Sequence, residues 1–312
     1  MTTTPNLTRR AALAGGAALP FAATAITRPS AAVAAGHEAM TPNANKYSFK
    51  LGDFEVSTLL VGTRTVEEPQ KTFGMNVSAE EFAQVSRDNF IPDDKTQFFF
   101  TPTVVNTGEQ VVLFDAGLNA EGTRAALEAA GFSTDDIDTV VITHMHGDHI
   151  GGLSGEDGTP TFANANYVTG QIEFDATASA GNDTFEAKVR PLADKMSFIG
   201  DGGSVASGIT GMAAFGHSPG HMIYMLESGG EQMVLIADTA NHYVWSLAYP
   251  DWEVRFDRDK AAAAATRRRV LDMLATDRLP FIGYHMPFPA VGYVETRGEG
   301  FRYVPSSYQT ML

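Results

Sequence analysis

Four side chains that can bind a metal ion fall within six residues of this chain. They are His144, His146, Asp148 and His149, and a short apolar, β-branched run leads straight into them. Because alternate residues at the end of a strand point to the same side, His144 and His146 can converge on one ion as neutral imidazoles. Gly147 permits the turn that follows, so Asp148 and His149 can face another direction and hold a second ion.

A surface loop rich in histidine is the alternative explanation of this cluster. Only eight histidines occur in the 312 residues, and three of them lie here. Clusters of histidine and aspartate at this spacing are characteristic of cation sites. The sequence therefore favours the floor of a two-metal site.

The bulk composition describes an ordinary globular protein of 312 residues, with 44% hydrophobic and 19% charged residues, which allows one large domain. Its 37 acidic and 22 basic residues give a net charge of -15, which argues against nucleic acid or an anionic membrane as a partner. Cysteine is absent, so any metal must be held by nitrogen and oxygen. We therefore expect a small-molecule substrate that is not polyanionic.

The N-terminal residues follow the pattern of an export signal. Arg9-Arg10 precede an uncharged, Ala/Gly-rich run over residues 11–27, and Ala32-Val33-Ala34 follows as a small-x-small cleavage pattern. A disordered alanine-rich tail is the alternative. We expect residues 1–36 to be a cleaved twin-arginine-type signal, residues 37–312 to form a single domain, and the mature protein to be periplasmic or secreted.

The metal-binding segment also resembles a known family. His-Met-His-Gly-Asp-His, followed by Ile-Gly-Gly-Leu, resembles the signature of the metallo-β-lactamase-fold hydrolases, and the resemblance continues in order along the chain after residue 46. The hairpin at residues 51–56, the ligand spacing and the ending at residues 300–305 resemble the methyl parathion hydrolase-like members, which are phosphotriesterases and lactonases. Gly147 and Ala237 depart from that pattern, since proline and glycine are usual at these positions.

This resemblance implies a complete dinuclear centre. It assigns three ligands to each ion and one between them: His144, His146 and His217; Asp148, His149 and His285; and the bridging Asp238. Two further side chains, Asp115 and His221, are assigned supporting positions behind the ligands. We expect two divalent ions, with zinc as the first choice, although manganese, cobalt and iron accept the same donors.

The fold implied by the resemblance is an α+β four-layer αββα sandwich, with the dinuclear site at the edge of the sheet sandwich. Residues 62–97 are expected to be largely irregular, apart from one short helix at residues 79–87 capped by Ser78. Four phenylalanines are expected to wall an apolar substrate pocket: Phe98, Phe100, Phe174 and Phe185. Three arginines at residues 267–269 lie in an alanine-rich helix, and we expect them on its surface.

These expectations describe an exported metal-dependent hydrolase. With Asp148 and Asp238 as the carboxylates of the catalytic centre, a hydroxide between the two ions would attack a neutral, apolar organophosphate triester, lactone or aryl ester. One alternative is another hydrolase of the same fold, such as a thioesterase or a β-lactamase, although the β-lactamases of this fold lack the bridging aspartate. The other is a secreted metal- or ligand-binding protein without catalysis. The oligomeric state is left open, with a homodimer as one option.

Overall fold

The structure is a computed structural model that describes residues 45–307. The predicted export signal at residues 1–36 lies outside the described residues. Between residues 45 and 307, no helix is both long and apolar enough to cross a membrane.

The described chain builds two seven-stranded sheets. The first contains, in spatial order, β1 (Lys46–Leu51), β2 (Phe54–Leu59), β5 (Thr103–Asn106), β6 (Val111–Phe114), β7 (Thr139–Ile142), β8 (Asn166–Gly170) and β9 (Met196–Ile199). Its first four strands pair antiparallel, and β6 to β9 pair parallel.

The strands of the second sheet follow one another in chain order. They are β10 (Ser204–Ala206), β11 (Ile209–Ala213), β12 (Met222–Ser228), β13 (Glu231–Ala237), β14 (Phe281–Gly283), β15 (Val291–Arg297) and β16 (Gly300–Pro305). Every neighbouring pair is antiparallel except β13 and β14, which run parallel.

Strand alternation sorts the apolar side chains into layers. Val112 and Phe114 of β6 pack between the two sheets, whereas Leu113 faces the opposite side, where it joins a core that includes helix residues. In β13, Leu235 packs between the sheets and Val234 joins the core on the outer face of the second sheet. This arrangement confirms the predicted αββα sandwich, because each sheet is apolar on both faces.

The helices cover the outer faces of the sheets. Those associated with the first sheet are α2 (Ala120–Ala130), α3 (Gly147–Ile150), α4 (Gln171–Ala180) and α5 (Asp183–Lys188). The second sheet is covered by α6 (Lys260–Asp277), which begins after Asp259, whose side chain accepts a hydrogen bond from the backbone N–H of Ala262. An N-terminal cap of this kind stabilises the first turn of a helix.

The segment over residues 62–97 is more regular than its sequence predicts. β3 (Gly62–Glu67) pairs antiparallel with β4 (Lys95–Phe100) to form a separate two-stranded ribbon. The predicted short helix is confirmed as α1 (Ala79–Asp88), and the side chain of Ser78 caps it by accepting a hydrogen bond from the N–H of Glu81. β3 could not be identified from its pattern because it is mostly exposed and its partner comes about thirty residues later.

Candidate metal centre

The candidate ligands and the supporting residue Asp115 lie in segments that meet at one edge of the sandwich. Asp115 follows β6, His144 follows β7, Asp238 follows β13 and His285 follows β14, each at the carboxyl end of a parallel strand. The loop between β11 and β12 adds His217. Carboxyl ends of neighbouring parallel strands lie at the same edge of a sheet, and this is where α/β proteins commonly place their sites.

Three imidazoles and one carboxylate form the first group. The Nε2 atoms of His144 and His217 each lie 3.0 Å from Nδ1 of His146. Oδ2 of Asp238 lies 3.2 Å from Nε2 of His217 and 3.9 Å from Nε2 of His144. The ligand atoms of the four residues all lie within 4.8 Å of one another, so they can share one cation.

A second group lies on the other side of the same carboxylate. Nε2 of His285 is 3.4 Å from Oδ2 of Asp148 and 3.3 Å from Oδ2 of Asp238. Nε2 of His149 is 3.2 Å from Oδ1 of Asp238. The structure therefore brings together all seven side chains that the sequence singled out as ligands, and places Asp238 between the two groups.

Asp115 orients two of the histidines, His149 directly and His144 through Thr143. Its carboxylate lies 2.8 Å from Nδ1 of His149 and accepts hydrogen bonds from the backbone N–H and the hydroxyl of Thr143. The Thr143 hydroxyl lies 3.1 Å from Nδ1 of His144. Because these Nδ1 atoms serve as donors, Nε2 is the ligand atom of each ring when it is neutral, and it faces the centre.

His217 has a partner that the sequence did not reveal. Its Nδ1 lies 2.9 Å from Oδ1 of Asp257, and Oδ2 of Asp257 accepts a hydrogen bond of 2.7 Å from the guanidinium of Arg267. Arg267 is 1% exposed and also donates to the carbonyls of Thr239 and Pro250. The predicted surface position of Arg267 is therefore wrong, because this side of α6 packs over the loops that carry the site.

Backbone groups orient two more histidines. Nδ1 of His285 donates to the carbonyl of Phe99 at 2.8 Å, so Nε2 is the ligand atom of the neutral ring. His221 donates from Nδ1 to the carbonyl of Ala214 and accepts at Nε2 from the N–H of Asp238. His221 therefore occupies the supporting position expected for it, and fixes the backbone that carries the central carboxylate.

Glu173 is a further buried group that sequence reasoning missed. Its carboxylate accepts hydrogen bonds from the N–H of Met145, the hydroxyl of Ser218 and the N–H of Gly220. It is 2% exposed, and it connects the loop that carries His144 to the loop after β11. No local pattern marks it, since its partners lie 28 to 47 residues away along the chain.

The surroundings of the histidines in the centre shift their pKa values in opposite directions. Burial and the neighbouring imidazoles lower the pKa of His146 to about 4. Burial also opposes a charge on His285, but Asp238 and Asp148 raise its pKa to about 10. For His149 burial acts in the same way, and the surrounding carboxylates raise its pKa well above the usual value. The carboxylates therefore favour positive charge at the second group.

The donor set fits two divalent cations. Nε2 of His149 and Oδ1 of Asp238 are buried and form no hydrogen bond with any residue between 45 and 307. Buried polar atoms without partners are costly, and coordination to a cation would satisfy both. Five imidazoles and two carboxylates form a nitrogen and oxygen set that suits zinc, and also manganese, cobalt or iron.

A cavity of about 410 Å³ opens onto the two groups. Phe98, Phe100, Leu118 and Phe256 form its apolar walls, and Arg64 and Arg255 contribute to its lining. Two of the four predicted pocket phenylalanines, Phe98 and Phe100, are therefore placed where they were expected.

The other two predicted pocket residues lie elsewhere. Phe174 and Phe185 contact each other, with ring centroids 5.2 Å apart, and belong to the core on the helix-covered face of the first sheet. Phe185 is fully buried there, and the guanidinium of Arg190 stacks over its ring. Their helices pack against the core beneath the site, so these side chains do not line its cavity.

Solved structures provide the comparison over most of the chain. AidC, a dizinc quorum-quenching lactonase, is 26% identical, with 84% of this chain and 98% of AidC covered and a TM-score of 0.76. AbOPH, a hydrolase in the beta lactamase superfamily, is 22% identical, with coverage of 85% and 98% and a TM-score of 0.77. At that identity the likeness to AbOPH shows the fold alone.

Curated relatives match over short segments only. Apyc1, an anti-Pycsar protein of Paenibacillus sp. (strain J14), is 40% identical over 57 residues, which are 18% of this chain and 22% of Apyc1. A ribonuclease Z of Salinibacter ruber is 50% identical over 46 residues, which are 15% of this chain and 13% of that enzyme. The family model of the metallo-beta-lactamase superfamily matches residues 101–280, more than half of the sequence. With its αββα sandwich and clustered histidines and aspartates, the chain belongs to the metallo-beta-lactamase superfamily.

Proposed function

We propose that this protein is a dinuclear metal-dependent hydrolase of neutral, apolar ester-type substrates. One observation carries the proposal: two groups of three ligands share the carboxylate of Asp238 at the base of a cavity with aromatic walls. Two divalent cations held there would lower the pKa of a bound water and polarise the carbonyl or phosphoryl group under attack.

The side chains of the centre are arranged to keep it rigid. Asp115, Asp257 and the carbonyl of Phe99 each hold a histidine through Nδ1, so the rings do not have to reorient during reaction. Such preorganisation lowers the reorganisation needed to reach the transition state.

The two carboxylates of the centre differ in their access to the cavity. The Asp238 side chain is only 4% exposed, whereas that of Asp148 keeps 26% exposure. Asp148 can therefore meet the substrate and exchange a proton with the departing group, and Asp238 serves to join the two sets of ligands. This division of roles agrees with the assignment of both residues to the catalytic centre.

The cavity favours a substrate with an apolar ring or chain. Phe98, Phe100 and Phe256 offer aromatic faces, and Leu118 adds an aliphatic one. Lactones, aryl esters and organophosphate triesters all combine such a group with an electrophilic centre. Similarity to the lactonase AidC supports lactones, and the sequence resemblance to methyl parathion hydrolase-like members supports phosphotriesters.

Export remains part of the proposal. Arg9-Arg10 and the apolar run after them support transport by the twin-arginine route, which carries folded proteins and would imply metal loading in the cytoplasm. The corresponding test is a Lys-Lys replacement of this pair. Retention of the variant inside the cytoplasm supports the proposal, and unchanged export overturns it.

The decisive experiment measures initial rates of the metal-analysed protein on a matched substrate panel. The panel contains an acyl-homoserine lactone, a p-nitrophenyl ester, paraoxon, a glutathione thioester and a cephalosporin. We expect turnover of at least one of the first three, its loss after chelation and its recovery with added zinc. Turnover of the thioester or cephalosporin alone would identify a different hydrolase, and bound metal without turnover of any member would indicate a binding protein.

A further inference from the structure

A second cavity lies on the other side of strand β4 from the metal centre. Along β4, Phe98 and Phe100 line the metal-centre cavity, whereas Phe99 between them lines the second one. This second pocket encloses about 300 Å³, and its apolar lining includes Ile91 and Trp245. A volume of this order accommodates a small organic molecule.

Three buried polar side chains line this pocket: Thr96, His242 and His285, of which His285 already donates from Nδ1 to the carbonyl of Phe99. His242 is 8% exposed and stacks on Trp245, with ring centroids 4.1 Å apart and an interplanar angle of 15°. Nδ1 of His242 accepts hydrogen bonds from the backbone N–H groups of Val244 and Trp245, both at 3.1 Å. An imidazole that accepts at Nδ1 carries its proton on Nε2, so the side chain offers one donor on the opposite edge of its ring.

That donor has no protein partner. Nε2 of His242 forms no hydrogen bond with any residue that the structure describes, although His242 is more than nine-tenths buried and lines the pocket. Among the described residues, Nε2 of His242 is not one of the enclosed atoms that lack a partner, so it is reachable from the pocket and a ligand there can accept from it. Stacking on Trp245 and the two bonds at Nδ1 fix the ring, so the N–H cannot turn elsewhere for a partner.

We propose that the second pocket binds a small apolar molecule that carries a carbonyl oxygen, with the Nε2–H of His242 as its hydrogen-bond donor. The aromatic and aliphatic walls provide the apolar contact, and the fixed donor of His242 selects for an acceptor. Burial lowers the pKa of His242 to about 3, so the ring is neutral at physiological pH. A neutral donor suits a ketone, ester or amide, and the ammonium group of Lys95, which also lines the pocket, belongs to an exposed residue.

Acetophenone and cumene form a matched pair of probes. The two molecules have nearly the same shape, but only acetophenone carries an acceptor, and neither is an ester that the metal centre could hydrolyse. Because Ile91 lines the second pocket and Leu118 lines the metal-centre cavity, their methyl groups report on the two sites separately. Methyl-labelled full-length protein, loaded with zinc, is titrated with each probe and followed by NMR.

We expect acetophenone to shift the Ile91 methyl signal to saturation without moving that of Leu118. Cumene should bind about tenfold more weakly, since it leaves the donor of His242 unsatisfied. Equal affinities of the two probes, a shift of Leu118 in place of Ile91, or no shift of Ile91 up to the solubility limit of acetophenone would each overturn the proposal.

A substitution provides an independent check. In His242→Asn, the amide oxygen can still accept from the backbone N–H groups of Val244 and Trp245, but the Nε2–H is gone. We expect the preference for acetophenone over cumene to disappear. A preference retained in the folded variant would show that His242 is not the donor. If the variant does not fold, the comparison of the two probes on the unaltered protein still decides the proposal.

Discussion

Nδ1 of His217 lies 2.9 Å from Oδ1 of Asp257, and this contact connects the metal centre to the buried side of α6. Arg267 on that helix holds the other carboxylate oxygen of Asp257. With Nδ1 occupied in this way, the lone pair of His217 lies at Nε2, on the side of Asp238. A residue forty positions away along the chain thus determines which nitrogen of His217 can act as a ligand.

Asp257→Asn should weaken metal binding. The amide keeps an oxygen near His217 but loses the negative charge, and changes to such partners typically lower metal affinity about tenfold to a hundredfold. Competition with a chromophoric chelator measures the affinity. Asp251→Asn is the matched control, because Asp251 is exposed and pairs with Arg268, a half-buried residue of α6 next to Arg267. Equal affinities of the two variants would contradict the role given to Asp257.

Arg267→Met should destabilise the fold. The change leaves Asp257 and the carbonyls of Thr239 and Pro250 buried without their donor, and removing one partner of a buried ion pair typically costs about 3–5 kcal/mol. Arg268→Met, at the adjacent position, where the side chain is 42% exposed, should lower the free energy of unfolding by less than about 1 kcal/mol. Urea denaturation of both variants provides the test. A similar loss of free energy of unfolding in both variants would contradict the proposed contribution of the buried Arg267.

Glu173→Gln should loosen the contact between two ligand loops. The amide nitrogen that replaces a carboxylate oxygen faces backbone N–H groups or the hydroxyl of Ser218, and an unsatisfied buried donor costs about 1–3 kcal/mol. Asp175→Asn is the control on the same helix, since Asp175 is exposed and bonds only to Gln171 through its side chain. We expect a lower midpoint of urea unfolding for Glu173→Gln alone. The same midpoint in both variants would rule out this function of Glu173.

Metal loading should release protons at pH 7. In the metal-free protein burial opposes a charge on both rings, but Asp238 and its neighbours raise the pKa of His149 well above its usual value and that of His285 to about 10, which favours the protonated form of both rings. Both must be neutral to act as ligands, and ionisation of the bound water would add a further proton, so we expect release of at least two protons. Zinc titrations by calorimetry in buffers of different ionisation enthalpy measure this number. Proton uptake, or apparent affinity that falls as the pH rises from 6 to 8, would be inconsistent with the raised pKa values.

Phe256→Ala should raise KM without a comparable change in kcat. Phe256 lines the metal-centre cavity but is 38% exposed, and loss of its contact removes apolar binding that substrate and transition state share. We expect KM to rise about tenfold on the best apolar substrate of the panel. Phe198→Ala provides the control, because Phe198 is 37% exposed and lies outside that cavity. A lower kcat with unchanged KM would place Phe256 in a different role.

The sequence was most informative where a whole group of ligands lies in one loop. His144, His146, Asp148 and His149 could be recognised together, because their spacing and the apolar strand before them are local properties. Asp257 could not be recognised, since nothing near it in the sequence indicates that it contacts a histidine forty residues earlier. Which residue becomes the hydrogen-bond partner of His217 depends on how α6 packs on the second sheet.

The aromatic residues show the same distinction. Phe98 and Phe100 share one face of β4, so strand alternation was sufficient to place them together. Phe174 and Phe185 lie on two short helices, and the sequence does not fix which face of each helix packs against the core. The structure turns both phenylalanines toward the core, where Phe185 is fully buried.

The ligands are divided between the two sheets: the loop after β7 supplies four of them, while the second sheet supplies His217, Asp238 and His285. Bound ions would therefore cross-link the two halves of the sandwich. The free metal concentration would then govern the free energy of unfolding as well as activity. A ligand that binds only the folded state stabilises it in proportion to the logarithm of the ratio of ligand concentration to Kd. A cell that starves this protein of metal would therefore lower its stability along with its activity, while the apolar core between the sheets still holds them together.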